Sequence, residues 1–212
     1  MNISELQNQL ASAKEHLAQV LKKGIDTNKL QESLAAFEAV ATAQRALAAA
    51  KGEEHAVPYD IGFTPEAAVS EPVLLQTDSA AILTFSAVRP TPEGRREDAG
   101  YAIVELDLCS LTKFGYPNDE ALSGHPLYEK GLGEYGVYEV YHSSWVRLAR
   151  DQNRIAFPDT PAYSTERHFI FTFHDSTFEC IARGIRASLS DQPYAEIFEN
   201  ITKRVLKASR NH

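Results

Sequence analysis

The chain has 212 residues, 43% apolar and 24% charged, with a formal net charge of −8 at neutral pH. That balance fits a folded domain with an appendage. It disfavours nucleic-acid binding, which needs Lys and Arg clustered on phosphates. No apolar run reaches the ~20 residues that cross a bilayer, so no membrane contact is expected. The start, Met1-Asn2-Ile3-Ser4-Glu5, lacks the charged-then-apolar pattern of a secretory leader. A cytoplasmic protein is therefore expected, with Cys109 and Cys180 as reduced thiols.

In chain order, Ile3, Leu6, Leu10, Ala13, Leu17 and Val20 recur alternately three and four apart, which is one narrow apolar seam of a helix, in the manner of a coiled coil. Lys22, Lys23 and Gly24 close it, and Asp26 or Thr27 caps a second helix. The expected seam there is Leu30, Leu34, Phe37, Ala41, Gln44 and Ala48. The short connection predicts an antiparallel helical hairpin over 1–52. Two helices alone bury too little to be stable. The narrow seams and the connector that follows favour packing on a second copy, a homodimer, over packing on the chain's own sheet.

Residues 53–72 hold Pro58, Pro65 and Pro72 and read as an irregular linker. The third part, 73–212, changes character. Val73 to Leu75 and Ala80 to Val88 read as strands, 89–99 as a solvated loop, and 101–109 as a strand with Ala102, Val104, Leu106 and Leu108 inward. The 110–135 stretch is long, glycine-rich and aromatic, which is the character of a binding loop. A strand over 137–141 follows. Ser143 or Ser144 then caps a helix through Arg154 with Trp145, Leu148 and Ala149 buried, although a strand is an alternative. A last helix starts after Ser190 or Asp191, with Tyr194, Ile197, Phe198, Ile201 and Val205 on one face.

The centre of the fold is expected at 167–183, two strands folded on each other near Asp175. Alternation puts Phe169, Phe171, Phe173, Phe178, Cys180 and Ala182 on an apolar face, and His168, Ile170, Thr172, His174, Glu179 and Ile181 on the other. The expected register pairs Phe173 with Phe178 and Phe171 with Cys180, which sets Glu179 diagonal to His174. The whole reads as α+β: a helical hairpin, then a mostly antiparallel, curved, open-barrel-like sheet of ~5–7 strands, with a C-terminal helix packed on it.

No complete catalytic or nucleotide motif is present. The leading expectation is a cytoplasmic binding or regulatory protein, homodimeric through the helical hairpin. Its pocket would lie between the 110–135 loop and the polar face of the β-hairpin, for a small molecule or a protein partner. His125, Tyr128, His142, Trp145, His168 and Thr172 are its candidate ligand-binding residues. The alternative is a small hydrolase in which His174 and Glu179 act as an acid/base pair beside Asp175. No metal site and no cofactor is expected: His168 and His174 lie six residues apart, roughly 20 Å along a strand. A catalytic zinc would need a third ligand brought in on a loop by His125 or His142.

Overall fold

The structure, a computed structural model, describes residues 2–22, 30–91, 95–159 and 165–209. The expected caps at Gly24, Asp26 and Thr27 lie outside the described residues. So do 92–94 of the expected loop and Pro161 before the β-hairpin. Among the described residues the chain forms four α-helices and ten β-strands, all strand pairs antiparallel. The α+β class and the helical pair, strands and closing helix are as the sequence predicts. The strands form two sheets rather than one, and they do not close into a barrel.

Helix α1 (Ile3–Lys22) and helix α2 (Leu30–Ala50) pack on each other. In α1 the expected seam is the one used: Leu6 and Val20 are buried and Leu10, Ala13 and Leu17 half-buried, while Ile3 is exposed. In α2 the buried positions are Ser33, Ala36, Val40, Ala43 and Ala48; of the expected seam Ala48 is buried and Ala41 and Gln44 half-buried, while Leu34 and Phe37 stay exposed. Small residues let two helix backbones approach closely, so the smaller face turns inward and the bulkier one outward. The hairpin also touches its own domain. Arg45 packs where a Cβ on Gly131 would stand, and Lys14 meets Glu129 at 3.5 Å.

The 53–72 stretch contributes two short strands, β1 (His55–Pro58) and β2 (Thr64–Pro65). Both occupy sheet edges, where a proline's missing N–H costs no ladder bond. Strands β3 (Val73–Gln76), β4 (Ala81–Pro90) and β5 (Arg96–Asp107) follow, with Ala102, Val104 and Leu106 buried as expected. Leu108 instead falls beyond the strand, in a left-handed conformation, and is exposed. The 110–135 stretch begins with β6 (Leu111–Gly115), and β7 (Val137–Tyr141) comes after it. The ambiguous segment is a helix, α3 (Ser144–Ala156), with Val146 and Ala149 inward and Leu148 exposed. Strands β8 (Arg167–Thr172), β9 (Thr177–Ala182) and β10 (Gly184–Ser190) and helix α4 (Tyr194–Ser209) complete the chain.

One sheet has the order β1, β7, β8, β9, β6. In the other, β10, β5 and β4 run side by side, and β2 and β3 both pair with the far edge of β4. The two face each other across the main core. Phe169, Phe171, Phe178 and Cys180 from the first sheet meet Leu83, Phe85, Val104 and Leu106 from the second. Phe85 lies 5.3 Å from Phe173 and 6.1 Å from Phe171, ring edge to ring face. Helix α4 covers the outer face of the second sheet, where Ile197, Ile201 and Val205 meet Ile82. The outer face of the first sheet is covered by α3 and by the turns around 122–130. Ile181 packs with Val146 and Ala149, and Ile170 with Leu122, Leu127 and Leu132.

Candidate functional site

The β-hairpin divides its faces as the alternation predicts, but its register is displaced by one pair. Phe171 faces Phe178, Phe169 faces Cys180, and Thr172 and Thr177 close the ladder, leaving 173–176 as the connection. The Phe173 N–H donates to the Ser176 carbonyl at 2.8 Å. A shift of two residues preserves the faces, because side chains alternate with period two. It changes the neighbours of Glu179, which stands opposite Ile170, diagonal to His168, and beside Lys113 of β6.

Glu179 therefore meets His168 rather than His174. His168 Nε2 lies 2.9 Å from Glu179 Oε2, and His168 Nδ1 lies 3.0 Å from the Oγ of Ser143. His125 approaches the other carboxylate oxygen at 3.9 Å, because the 110–135 segment folds down over this face, and Lys113 Nζ stands at 3.6 Å. His168 is only 3% exposed. Burial opposes ionisation of Glu179, yet the neighbouring imidazoles of His125 and His168 and the charge of Lys113 outweigh it and hold the carboxyl well below its usual range. An ionised carboxylate only accepts, so His168 carries its proton on Nε2. In the neutral ring Nδ1 then accepts from the Ser143 hydroxyl.

Ser143 owes its place to the local chain. Strand β7 ends at Tyr141, His142 adopts φ 54°, and Ser143 caps α3 by accepting from the Val146 N–H at 3.1 Å. Glu54 receives the next donors, the N–H of Ser144 at 2.6 Å and its hydroxyl at 3.0 Å. Trp145 stands edge-on to His168 at 5.2 Å, with Lys113 Nζ 3.8 Å above its ring.

Beside Ser143 and His168 a groove of about 380 Å³ opens between α3 and the start of β8. Its lining includes His142, Arg147, Arg150, Glu166 and the pair of Arg167 with Glu139. Arg167 Nε donates to Glu139 Oε1 at 2.7 Å, so these two charges answer each other. Two further arginines, Arg147 and Arg150, and the carboxylate of Glu166 stand on the same lining, in a chain whose net charge is −8.

The other sequence candidates are dispersed. His174 Nδ1 meets Asp119 at 2.7 Å, and Tyr135 donates its hydroxyl to the same carboxylate oxygen. Tyr135's bond holds the Asp119 carboxyl below its usual range, with His174 adding to it, and Asp119 in turn raises His174. Burial first, then Asp119, pushes Tyr135 up to about 12. Asp175 is exposed in the turn. Thr172 is a clamp: it accepts from the Gly136 N–H at 2.9 Å and donates to the Gly133 carbonyl at 2.9 Å. Tyr128 packs against the Ile170 cluster. Of the six ligand-binding candidates, then, His142 and His168 line one groove. Trp145 and His125 stand behind it, and Tyr128 and Thr172 hold the fold. The 110–135 segment lies on the sheet through Leu122, Leu127 and Leu132, and the groove opens on the α3 side.

Sequence reasoning saw Ser143 only as a cap, and it missed Glu54, Lys113, Asp119, Arg147 and Arg150. Arg147 and Arg150 repeat at i and i+3 on α3, which puts them on one helix face, and that signal was readable. Comparison with protein-family models, curated proteins and solved structures finds no match to this chain. Among the described residues no helix is long and apolar enough to cross a membrane.

Proposed function

We propose that the protein is a binding or regulatory module that takes a small carboxylate-bearing ligand in the groove beside α3. The observation that carries this reading is the pair of arginines, Arg147 and Arg150, over a floor whose polar groups are already ordered. Ser143 and His168 lie at that floor, fixed from behind by Glu179. A preordered site avoids most of the entropy cost of organising side chains on binding. Guanidinium groups are the side chains best shaped for carboxylates.

In the same reading the protein is a cytoplasmic homodimer. Leu34 and Phe37, 53% and 47% exposed at i and i+3 on α2, are the apolar stripe against which a second copy would pack. The groove and the stripe lie on different elements, so ligand binding and self-association can be tested apart.

Trp145 is the chain's single tryptophan and touches His168, so its fluorescence reports on the groove floor. Titration of the full chain with succinate and citrate should give a saturable change with Kd at or below about 1 mM, roughly −4 kcal/mol. The double substitution Arg147→Glu with Arg150→Glu should abolish it. A flat titration in the wild-type protein, or one that the double variant leaves unchanged, removes the groove as an anion site.

A further inference from the structure

We propose that Ser143 is a nucleophile for acyl transfer, acting on an ester whose acid portion carries a second carboxylate; the substrate class rests on the anion reading of the groove. A hydroxyl, an imidazole and a carboxylate stand in series, 3.0 Å and 2.9 Å apart, with proton positions fixed by the carboxylate end. Ser143 and His168 line the groove, while Glu179 stands on β9 and is not part of its lining. Ser143 also sits at a strand-to-helix turn, where the Val146 N–H donates to its Oγ and stabilises negative charge there. His174 and Asp175, the nearer-looking candidates in sequence, lack such a hydroxyl in series.

The chemistry balances with water as co-reactant. Ser143 Oγ bonds to the ester carbonyl carbon while its proton passes to His168 Nδ1, and Glu179 holds the resulting imidazolium at Nε2. The acyl carbon to alkoxide bond then breaks, and the leaving oxygen takes the proton from Nδ1. Water next adds to the acyl carbon, giving a proton to Nδ1. Ser143 Oγ departs with that proton, and the carboxylic acid is released. Glu179 acts as a positioning residue, through His168. Arg147 and Arg150 face the second carboxylate of the acid portion.

The test is labelling of the full chain with a neutral fluorophosphonate, in which Ser143 Oγ bonds to phosphorus and fluoride leaves, followed by peptide mass mapping. Label is expected on Ser143 and not on Ser144, whose hydroxyl is given to Glu54. Ser143→Asn, which keeps a capping oxygen, should abolish it. His168→Asn should slow it on the order of 100-fold, with thermal melts confirming that both variants fold. Absence of label on wild-type Ser143, or an equal rate in folded His168→Asn, overturns the nucleophile. Should either variant unfold, the wild-type contrast between Ser143 and Ser144 still decides. Hydrolysis of p-nitrophenyl hemisuccinate against p-nitrophenyl acetate tests the substrate class separately. The anionic ester should be favoured, and Arg147→Ala with Arg150→Ala should erase the preference while labelling persists. Labelling without that preference overturns the substrate class, and carboxylate binding without labelling overturns the catalytic step and leaves the groove a binding site.

Discussion

Glu179 is the residue on which the covered face of the first sheet depends. A carboxylate withdrawn from water costs several kcal/mol unless its lone pairs are answered, and here His168, His125 and Lys113 answer them. Glu179→Ala leaves the buried His168 Nε2–H without its acceptor. The expected loss is about 3 kcal/mol, read from the midpoint of urea unfolding. The pH dependence has a definite sign. Because the folded carboxyl titrates below its unfolded value of about 4.3, its contribution is complete above that pH and is lost as the pH falls toward the folded pKa. Glu179→Gln should therefore flatten the acid limb of the stability profile. A variant with the wild-type limb would mean that the carboxylate is not held as described.

At the scale of elements, the β-hairpin shows what sequence can and cannot carry. Alternation identified both faces of 167–183, because any other phase would have sent Phe169 and Phe171 to water. It left the register open, since a shift by two residues exposes nothing new. That shift moved the residue opposite Glu179 from Thr172 to Ile170, about 7 Å along the strand, and so gave it His168 rather than His174 as its diagonal neighbour. Strand β6, strand β10 and the loop bearing Asp119 and His125 are legible only in three dimensions, since what orders them is their partner strand or the face they cover. Likewise the inward face of α2 was set by how closely α1 could approach, not by the size of Leu34 and Phe37.

The junction of the helical hairpin with its domain gives the test at this scale. Gly131 has φ 97°, and a Cβ there would lie 2.5 Å from the Ala56 carbonyl oxygen and 2.1 Å from Arg45 Cγ. Gly131→Ala should cost on the order of 1–3 kcal/mol and speed hydrogen exchange in the C-terminal half of α2. Unchanged stability and exchange would show that α2 does not rest on that turn.

For the whole molecule, two sheets share one phenylalanine-rich core, and each outer face has its own cover. The first sheet's cover, α3 with the 122–130 turns, brings Ser143 and His125 to the polar network. The helical hairpin stands to one side, with Leu34 and Phe37 exposed on α2. Light scattering of the full chain should give twice the chain mass, and Leu34→Glu with Phe37→Glu should halve it. A wild-type monomer at micromolar concentration would contradict the dimer and leave the groove untouched.

The line from Ser143 through His168 to Glu179 underlies both the proposed binding site and the proposed chemistry. It is tested most directly by nitrogen-detected NMR of the His168 ring at neutral pH. The neutral ring should be protonated on Nε2, with Nδ1 showing the shift of a hydrogen-bond acceptor that changes in Ser143→Ala. A ring protonated on Nδ1, or an Nδ1 shift indifferent to Ser143, would contradict it.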